Sequence, residues 1–355
     1  MKIIKSNLRV LKINILILFL LVYILSFNIE MQKSSIIVSS SLVKKVYPIG
    51  RCIGLKLYTK GVLVVGMSEI KDKNGNSIKP YESSGIEIGD IIKKVNGNEI
   101  NKSADVENIV NNSKNDNIEI EYYHDDEEKT FTTKIKRVLS EENIYLLGLW
   151  VRDAASGIGT ITFYDKDNNS FAALGHGIND IDTDKLLQIK NGEIVSANIV
   201  SVVKANEKNV GEIRGTIDNE NVIGTIEKNT EFGIYGIANK NLADEANKNK
   251  YGEIEVAKRN EIKIGKATII CELQNDDIEE YEIEIQKIFK SDYKDNKNML
   301  IKVTDKKILE KTGGIIPGMS GTPIIQNGKL IGAITNVLVN NPQEGYAICA
   351  DMMVI

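Results

Sequence analysis

Histidine and cysteine are scarce in this chain, with two of the former and three of the latter among 355 residues. Cys52, Cys271 and Cys349 are far apart, and no Cys-x-x-Cys pair or Cys/His cluster occurs. A structural zinc site needs clustered thiolate and imidazole ligands, so none is expected, and an odd set of distant thiols argues against a disulfide framework. Aromatics are sparse at 6%, with Trp150 the single tryptophan. Beyond the N-terminus there is no long basic run, and the formal net charge is −4. A nucleic-acid partner needs a phosphate-neutralising stripe of Lys and Arg, so none is expected. Neither a phosphate-cradling Gly-rich loop nor a dinucleotide fingerprint is present. The stretch "DKDNNS" (165–170) opens like a calcium loop, but Ser170 stands where glycine is needed and His176 where the bidentate Glu belongs. No metal and no cofactor are therefore expected.

What is present begins with Lys2, Lys5, Arg9 and Lys12, followed by an almost unbroken apolar run from Ile13 to Phe27. A bilayer span takes about 20 residues and a signal-peptide core about 7–15. No small-x-small cleavage pattern follows closely. The expectation is an uncleaved signal anchor, with 1–12 a cytoplasmic basic segment, 13–29 the transmembrane anchor and 30–45 a linker. The basic flank stays inside, and the rest of the chain lies outside the cytoplasm.

Residues 46–137 read as one unit. "VYPIGRCIGLKLYTKGVLVVGMSEI" predicts two short strands around a Lys60-Gly61 turn, and Asn96-Gly97 marks a second turn. "SADVENIVNNS" places Val106, Ile109 and Val110 on one helical face, with Ser103 as N-cap. "NIEIEYYHDDEEKTFTTKIKRV" closes the unit as a hairpin, with His124 a solvated residue of its acidic tip. This order resembles a PDZ domain, most specifically at "GIEIGDIIKKVNGNEI". The resemblance implies that the loop at Cys52-Ile53-Gly54-Leu55 offers backbone N–H groups to a peptide carboxylate, and that the adjacent strand edge pairs with the peptide.

From 138 to 355 the chain is strand-rich, without long helical periodicity, which predicts a barrel or sandwich. Hairpins are expected around Asp165–Ser170 and at Asn327-Gly328. His176 lies between Gly175 and Gly177 at the end of an apolar strand, where other backbone can approach closely. A lone His is more often structural than catalytic. Gly318-Met319-Ser320-Gly321-Thr322-Pro323 changes that weighting. Attack by a Ser hydroxyl needs a base, an oxyanion hole and a bend that presents Oγ. In chymotrypsin-like proteases a bend of this type aims the N–H groups of the Ser and of the Gly two before it at the oxyanion, here Ser320 and Gly318. The third member is an acid beside the imidazole, and Asp305, Asp180, Asp182 and Asp184 are all candidates on spacing alone.

The segments "RDAASGIGTITFY" to "ALGHGI" and "VTDKKILEKTGGIIPGMSGTPIIQNGKLIGAITNVLVNNPQEGY" closely resemble the stage IV sporulation protein B peptidase family. With anchor, PDZ unit and peptidase, the resemblance covers nearly the whole chain. It implies a mainly β protein, a PDZ domain (small β barrel with helices) followed by a chymotrypsin-like double β-barrel peptidase domain. It implies His176 as general base, Ser320 as nucleophile and Asp305 as orienting acid. It also implies a membrane-anchored serine endopeptidase of the forespore membrane and intermembrane space during sporulation. Its partners would be its own N-terminal region, a PDZ-bound peptide, and a regulatory membrane protein that restrains an intramembrane metalloprotease. Two other readings remain: a non-catalytic PDZ scaffold with a degenerate peptidase domain, and a quality-control protease, in which the PDZ usually follows the catalytic domain.

Overall fold

Apolar side chains alternate along most strands of this chain, and that period of two lets each strand put one face into a core. In the computed structural model, which describes residues 43–124, 129–206, 208–275, 277–289 and 296–354, the strands close two six-membered rings. The expected basic segment, anchor and nearly all of the linker lie outside the described residues. Among the described residues no helix is long and apolar enough to cross a membrane.

The first ring runs through strands Cys52–Met67, Leu149–Asp165, Ser170–Ala173, Gly233–Ala238, Glu212–Thr230 and Ile189–Val203, and the last pairs back onto Cys52–Met67. Ile53, Leu55, Leu57, Ile161, Phe171 and Ile194 fill its interior. The second ring runs through Gly265–Gln274, Asp277–Ile288, Met299–Val303, Asn341–Cys349, Lys329–Leu338 and Pro323–Gln326, which pairs back onto Gly265–Gln274. Ile269, Cys271, Ile283, Ile285, Ile301 and Ile334 pack inside it. Register shifts in both rings supply the bulges that let long strands bend into a closed sheet.

The expected turn at Lys60-Gly61 is not a turn. Cys52–Met67 is one strand that serves two bodies. Its first half is a wall of the first barrel. Its second half pairs, at Val62 and Leu63, with strand Ile91–Val95, which continues into Asn117–Tyr123 and Thr130–Lys136. Helix Ser103–Asn112 closes this smaller unit by burying Val106 and Val110 among Val62, Val64, Ile92, Ile118, Ile120 and Ile135. Gly61 marks the crossover, because its φ is +124° and a Cβ there would sit 2.4 Å from the Ile92 carbonyl oxygen. The PDZ-like unit is therefore inserted between the first two strands of the first barrel, instead of standing before it with a boundary at 137/138.

The expected carboxylate loop is corrected by the same strand. Ile53, Gly54 and Leu55 pair with Gly157–Gly159 on one side and with Ile194–Ser196 on the other. With ladders on both edges, their backbone is not open to a peptide. Ser103 is the first helical residue and not the cap, and the carboxylate of Asp153 receives its N–H at 2.8 Å. His124 is tethered, with Nδ1 2.7 Å from the buried Asp90 carboxylate and its ring tilted against Phe131, centroids 4.7 Å apart. The turns at Asn96-Gly97 and Asn327-Gly328 fall where expected, both with positive φ.

A chain beginning at 138 lacks the strand that closes the first barrel. Such a chain is expected to lose the first barrel's share of the unfolding heat, and so to melt with a clearly smaller enthalpy per residue than one beginning at Lys45. Equal enthalpies per residue in the two chains would refute the shared strand.

Candidate active site

The two halves of the candidate site come from different barrels. Strand Ser170–Ala173 ends in two left-handed residues, Leu174 and Gly175, both at φ +69°, and the chain then delivers His176. A left-handed Leu costs about 1–2 kcal/mol, and burial of the Leu174 side chain in the first barrel's core offsets it. Gly159 leaves the room for that side chain, since a Cβ there would lie 2.1 Å from Leu174 Cδ2. Gly175 is needed for contact with the second barrel, where a Cβ would meet Ile348 and Thr335 at 3.0 and 3.1 Å.

Ser320 sits between Gly318 at φ +100° and Gly321 at φ +93°. Gly321 does more than spare bulk beside the serine. A Cβ there would lie 2.1 Å from the Thr160 carbonyl oxygen and 2.5 Å from Leu174 N, so the two barrels touch through it. Thr160 Oγ1 donates to the Gly318 carbonyl at 2.8 Å, and Thr162 Oγ1 to the Gly321 carbonyl at 2.7 Å. Thr160 N–H donates to the Ser320 carbonyl at 3.0 Å. Both hydroxyls are buried, so these bonds hold the serine bend in one conformation. Among the described residues the N–H groups of Gly318 and Ser320 donate to no other group. Two unengaged amides beside a serine hydroxyl are what an oxyanion hole requires.

His176 and Ser320 line one cavity of about 370 Å³. The imidazole Nδ1 donates to the carbonyl of Gly177 at 2.7 Å. A carbonyl only accepts, so this bond places the proton on Nδ1 and leaves the Nε2 lone pair free in the neutral ring. Burial pushes the imidazole's pKa down, partly opposed by the Gly177 carbonyl. Ser320 Oγ donates to the Thr335 carbonyl at 2.8 Å. No other lining residue of this cavity is ionisable, and Leu55, Ile158, Leu174, Ile178, Ile315 and Val337 make its walls largely aliphatic. A larger cavity of about 700 Å³ is lined by Arg51, Glu245, Lys248, Glu272 and Asp277 and holds neither His176 nor Ser320. Chemistry, not size, selects the smaller one. The three thiols are buried, and burial pushes Cys52 and Cys271 up to about 12 and Cys349 up to about 11, which removes them as nucleophiles at neutral pH.

Asp305 is not brought to this cavity. It is the N-cap of helix Lys306–Thr312, where Oδ1 accepts from Lys307 N at 2.8 Å and Ile308 N at 3.4 Å. Its Oδ2 accepts from Glu282 N at 3.3 Å. The sequence carried this signal: an Asp before a short apolar-periodic stretch that ends in Gly-Gly is a helix start and stop. Asp180 is buried, not solvated, and Arg152 Nη1 reaches it at 2.5 Å, while Asp182 faces Arg152 Nη2 at 2.6 Å. Among the described residues no carboxylate hydrogen-bonds the His176 ring, and the Gly177 carbonyl takes the orienting position. Sequence reasoning missed Thr160 and Thr162, which look like ordinary strand residues. Among the described residues no group of three His, Cys, Asp or Glu side chains is arranged to hold a metal ion.

Asp305→Ala is expected to cost about 1 kcal/mol of stability, as loss of a helix cap does, with no change in reactivity at Ser320. Thr160→Val, which removes the hydroxyl that holds the half-buried Gly318 carbonyl, is expected to cost about 1 kcal/mol and to slow reaction at Ser320 as well. Thermal melts and active-site titration separate the two outcomes.

The family profile described as SpoIVB peptidase S55 matches residues 141–354, and a PDZ domain profile matches residues 53–135. The PDZ match thus starts inside the shared strand. No curated protein matches the chain. Among solved structures, the PDZ domain of the SdrC-like protein Lmo2051 from Listeria monocytogenes is 23% identical, covering 26% of this chain and 87% of that one, with a TM-score of 0.21. The inactive form of Rv3671c from M. tuberculosis is 12% identical over 55% of this chain and 77% of that one, with a TM-score of 0.27. The HtrA-type protease AlgW with a decapeptide is 10% identical over 86% of this chain and 63% of that one, with a TM-score of 0.32.

Proposed function

The chain belongs to the SpoIVB peptidase S55 family and is a serine endopeptidase, and on that premise we propose that His176 and Ser320 carry its chemistry as a pair. The observation that supports this reading is the shared cavity, with Nε2 unprotonated and two amides unengaged beside Ser320. Ser320 Oγ leaves the Thr335 carbonyl by rotation about one bond and attacks the scissile carbonyl carbon. Nε2 of His176 accepts its proton, and the charged ring is held through Nδ1–H by the Gly177 carbonyl. Gly318 and Ser320 N–H groups receive the oxyanion. His176 then protonates the leaving amine. Water, deprotonated by the same ring, releases the acyl group from Ser320.

The finer reading is that of a sporulation signalling protease. It is anchored through residues 13–29 with its folded part outside the cytoplasm, and cleaves itself and a regulator of an intramembrane metalloprotease. What supports it is the family membership together with the basic-then-apolar N-terminus. The bond from Ser320 Oγ to Thr335 instead of to His176 favours the second reading, a scaffold without turnover.

A fluorophosphonate probe decides between them. Wild type is expected to label and Ser320→Ala not to, and absence of labelling in folded wild type favours the scaffold. Because the base must be neutral and burial lowers its pKa, the labelling rate is expected to stay level as pH falls to about 6.5, the ordinary imidazole value, and to drop only below it. A rate that falls from above that value would contradict the buried neutral ring. Peptides presenting an aliphatic residue at the scissile carbonyl are expected to be cleaved in preference to charged ones, because the cavity walls carry no countercharge. Preference for Lys, Arg, Asp or Glu in a peptide-library profile would exclude this wall as the substrate site.

A further inference from the structure

Two consecutive residues of strand Leu149–Asp165 reach two different elements. Arg152 extends to the loop that follows His176. Its Nη1 lies 2.5 Å from Asp180 Oδ2 and its Nη2 2.6 Å from Asp182 Oδ2, so one planar guanidinium holds two carboxylates. Asp180 is buried and organises the loop from within. Its Oδ1 accepts from Asp182 N at 3.0 Å and from Thr183 N at 3.1 Å. Asp180 N donates to the Lys185 carbonyl at 2.9 Å. At the near end of the same loop, Asn229 receives Ile178 N at 2.9 Å and donates to the Ile178 carbonyl at 2.8 Å. The Gly177 carbonyl, which orients the imidazole, leads directly into this tethered segment.

The next residue, Asp153, falls in the register shift between Arg152 and Ala154, where a bulge re-aims a side chain. Its Oδ2 receives Ser103 N at 2.8 Å and Ser103 Oγ at 3.3 Å, at the first turn of the PDZ helix Ser103–Asn112. A carboxylate at that end complements both the unpaired N–H groups and the helix dipole. The strand in between is held along its length, from Leu149 to Arg152, by the PDZ half of Cys52–Met67. One peptide unit thus separates the side chain at the PDZ helix from the side chain at the loop that follows His176.

We propose that Arg152 is a positioning residue for His176, and that the Arg152-Asp153 pair couples the PDZ helix to the catalytic loop. The proposal rests on the catalytic roles assigned above to His176 and Ser320. Arg152 itself touches neither substrate nor the reacting atoms. It acts by fixing the segment that begins at the Gly177 carbonyl, and a displacement near 1 Å at such a point can cost about 100-fold in rate.

The test uses the chain from Lys45 onward, with fluorophosphonate labelling and peptide turnover as rate readouts. Arg152→Ala is expected to lower kcat and the labelling rate roughly 10- to 100-fold, with KM little changed. Arg152→Lys, which keeps the charge but reaches one carboxylate only, is expected to recover part of the loss. Asp182→Ala removes the exposed arm of the clamp and leaves the buried Asp180 paired, so it serves if Arg152→Ala fails to fold. Combined with Arg152→Lys it is expected to be markedly non-additive. Asp153→Ala is expected to slow labelling by a smaller factor. Wild-type kcat in folded Arg152→Ala, or in Asp182→Ala, overturns the proposal, as does a loss confined to KM.

A second readout does not depend on turnover. The chain has only two histidines, so the ring signals of His176 and His124 are resolved and assigned by nuclear magnetic resonance with one His→Gln variant. In a Ser320→Ala background, Arg152→Ala is expected to shift or broaden the Nδ1–H resonance of His176 and to leave that of His124 in place. An unchanged His176 resonance overturns the clamp even if the enzyme is active. Failure of wild type to label, with the resonance shifted as expected, refutes the catalytic assignment and leaves the clamp standing.

Discussion

Two threonine hydroxyls at the seam between the barrels are the constraint on which the site depends. Thr160 and Thr162 belong to the first barrel, and the carbonyls they hold, those of Gly318 and Gly321, flank the nucleophile in the second. Remove that seam and each barrel still has its own closed ring of strands and its own apolar core. What is lost is the relation between them, and the candidate chemistry exists only in that relation. The Thr162 bond to the Gly321 carbonyl is buried, so leaving it unmade carries the desolvation cost of a buried carbonyl. This is why the site can be rigid although its two main residues come from separate bodies.

The glycines around the site divide by purpose. Gly318 and Gly321 take up positive φ, and Gly321 and Gly175 also let backbone and side chains of the opposing barrel come within contact distance. Leu174 adopts the same left-handed region without glycine's freedom, and does so immediately before the histidine. Its side chain is locked in the first core, so local strain is balanced by burial. The site is thus assembled by packing of both barrels, with little contribution from hydrogen bonds between the functional groups themselves.

Much of this was legible in the residues. The turns at Asn96-Gly97 and Asn327-Gly328, the bend at Gly318–Gly321 and the glycine-flanked His176 each follow from a local rule, because each requires a backbone state that few residues accept. Partnership was not legible. The alternation in Cys52–Met67 shows a half-buried strand and nothing about which strands lie beside it, so a barrel wall was read as an open PDZ edge. The role of Asp305 was decided by resemblance, although "TDKKILEKTGG" carries the start and stop of a short helix. Thr160, Thr162 and Arg152 act across long sequence separations, where a threonine reads as a strand former and an arginine as a surface charge. Only the folded arrangement shows what they hold.

The inserted PDZ unit has a consequence for how the chain reaches this arrangement. The wall strand Cys52–Tyr58 is made early, and its last barrel partner to be synthesised, Ile189–Val203, follows only after the insertion and the second strand. At ordinary rates of translation that partner is delayed by roughly 7–30 seconds. An apolar strand left bare that long invites pairing with other nascent chains. The second half of the strand is held within the insertion, where Val62 and Leu63 pair with Ile92 and Ile91. The wall half and the half fixed in the smaller unit are one unbroken strand, so the smaller unit sets the direction in which that wall of the barrel runs.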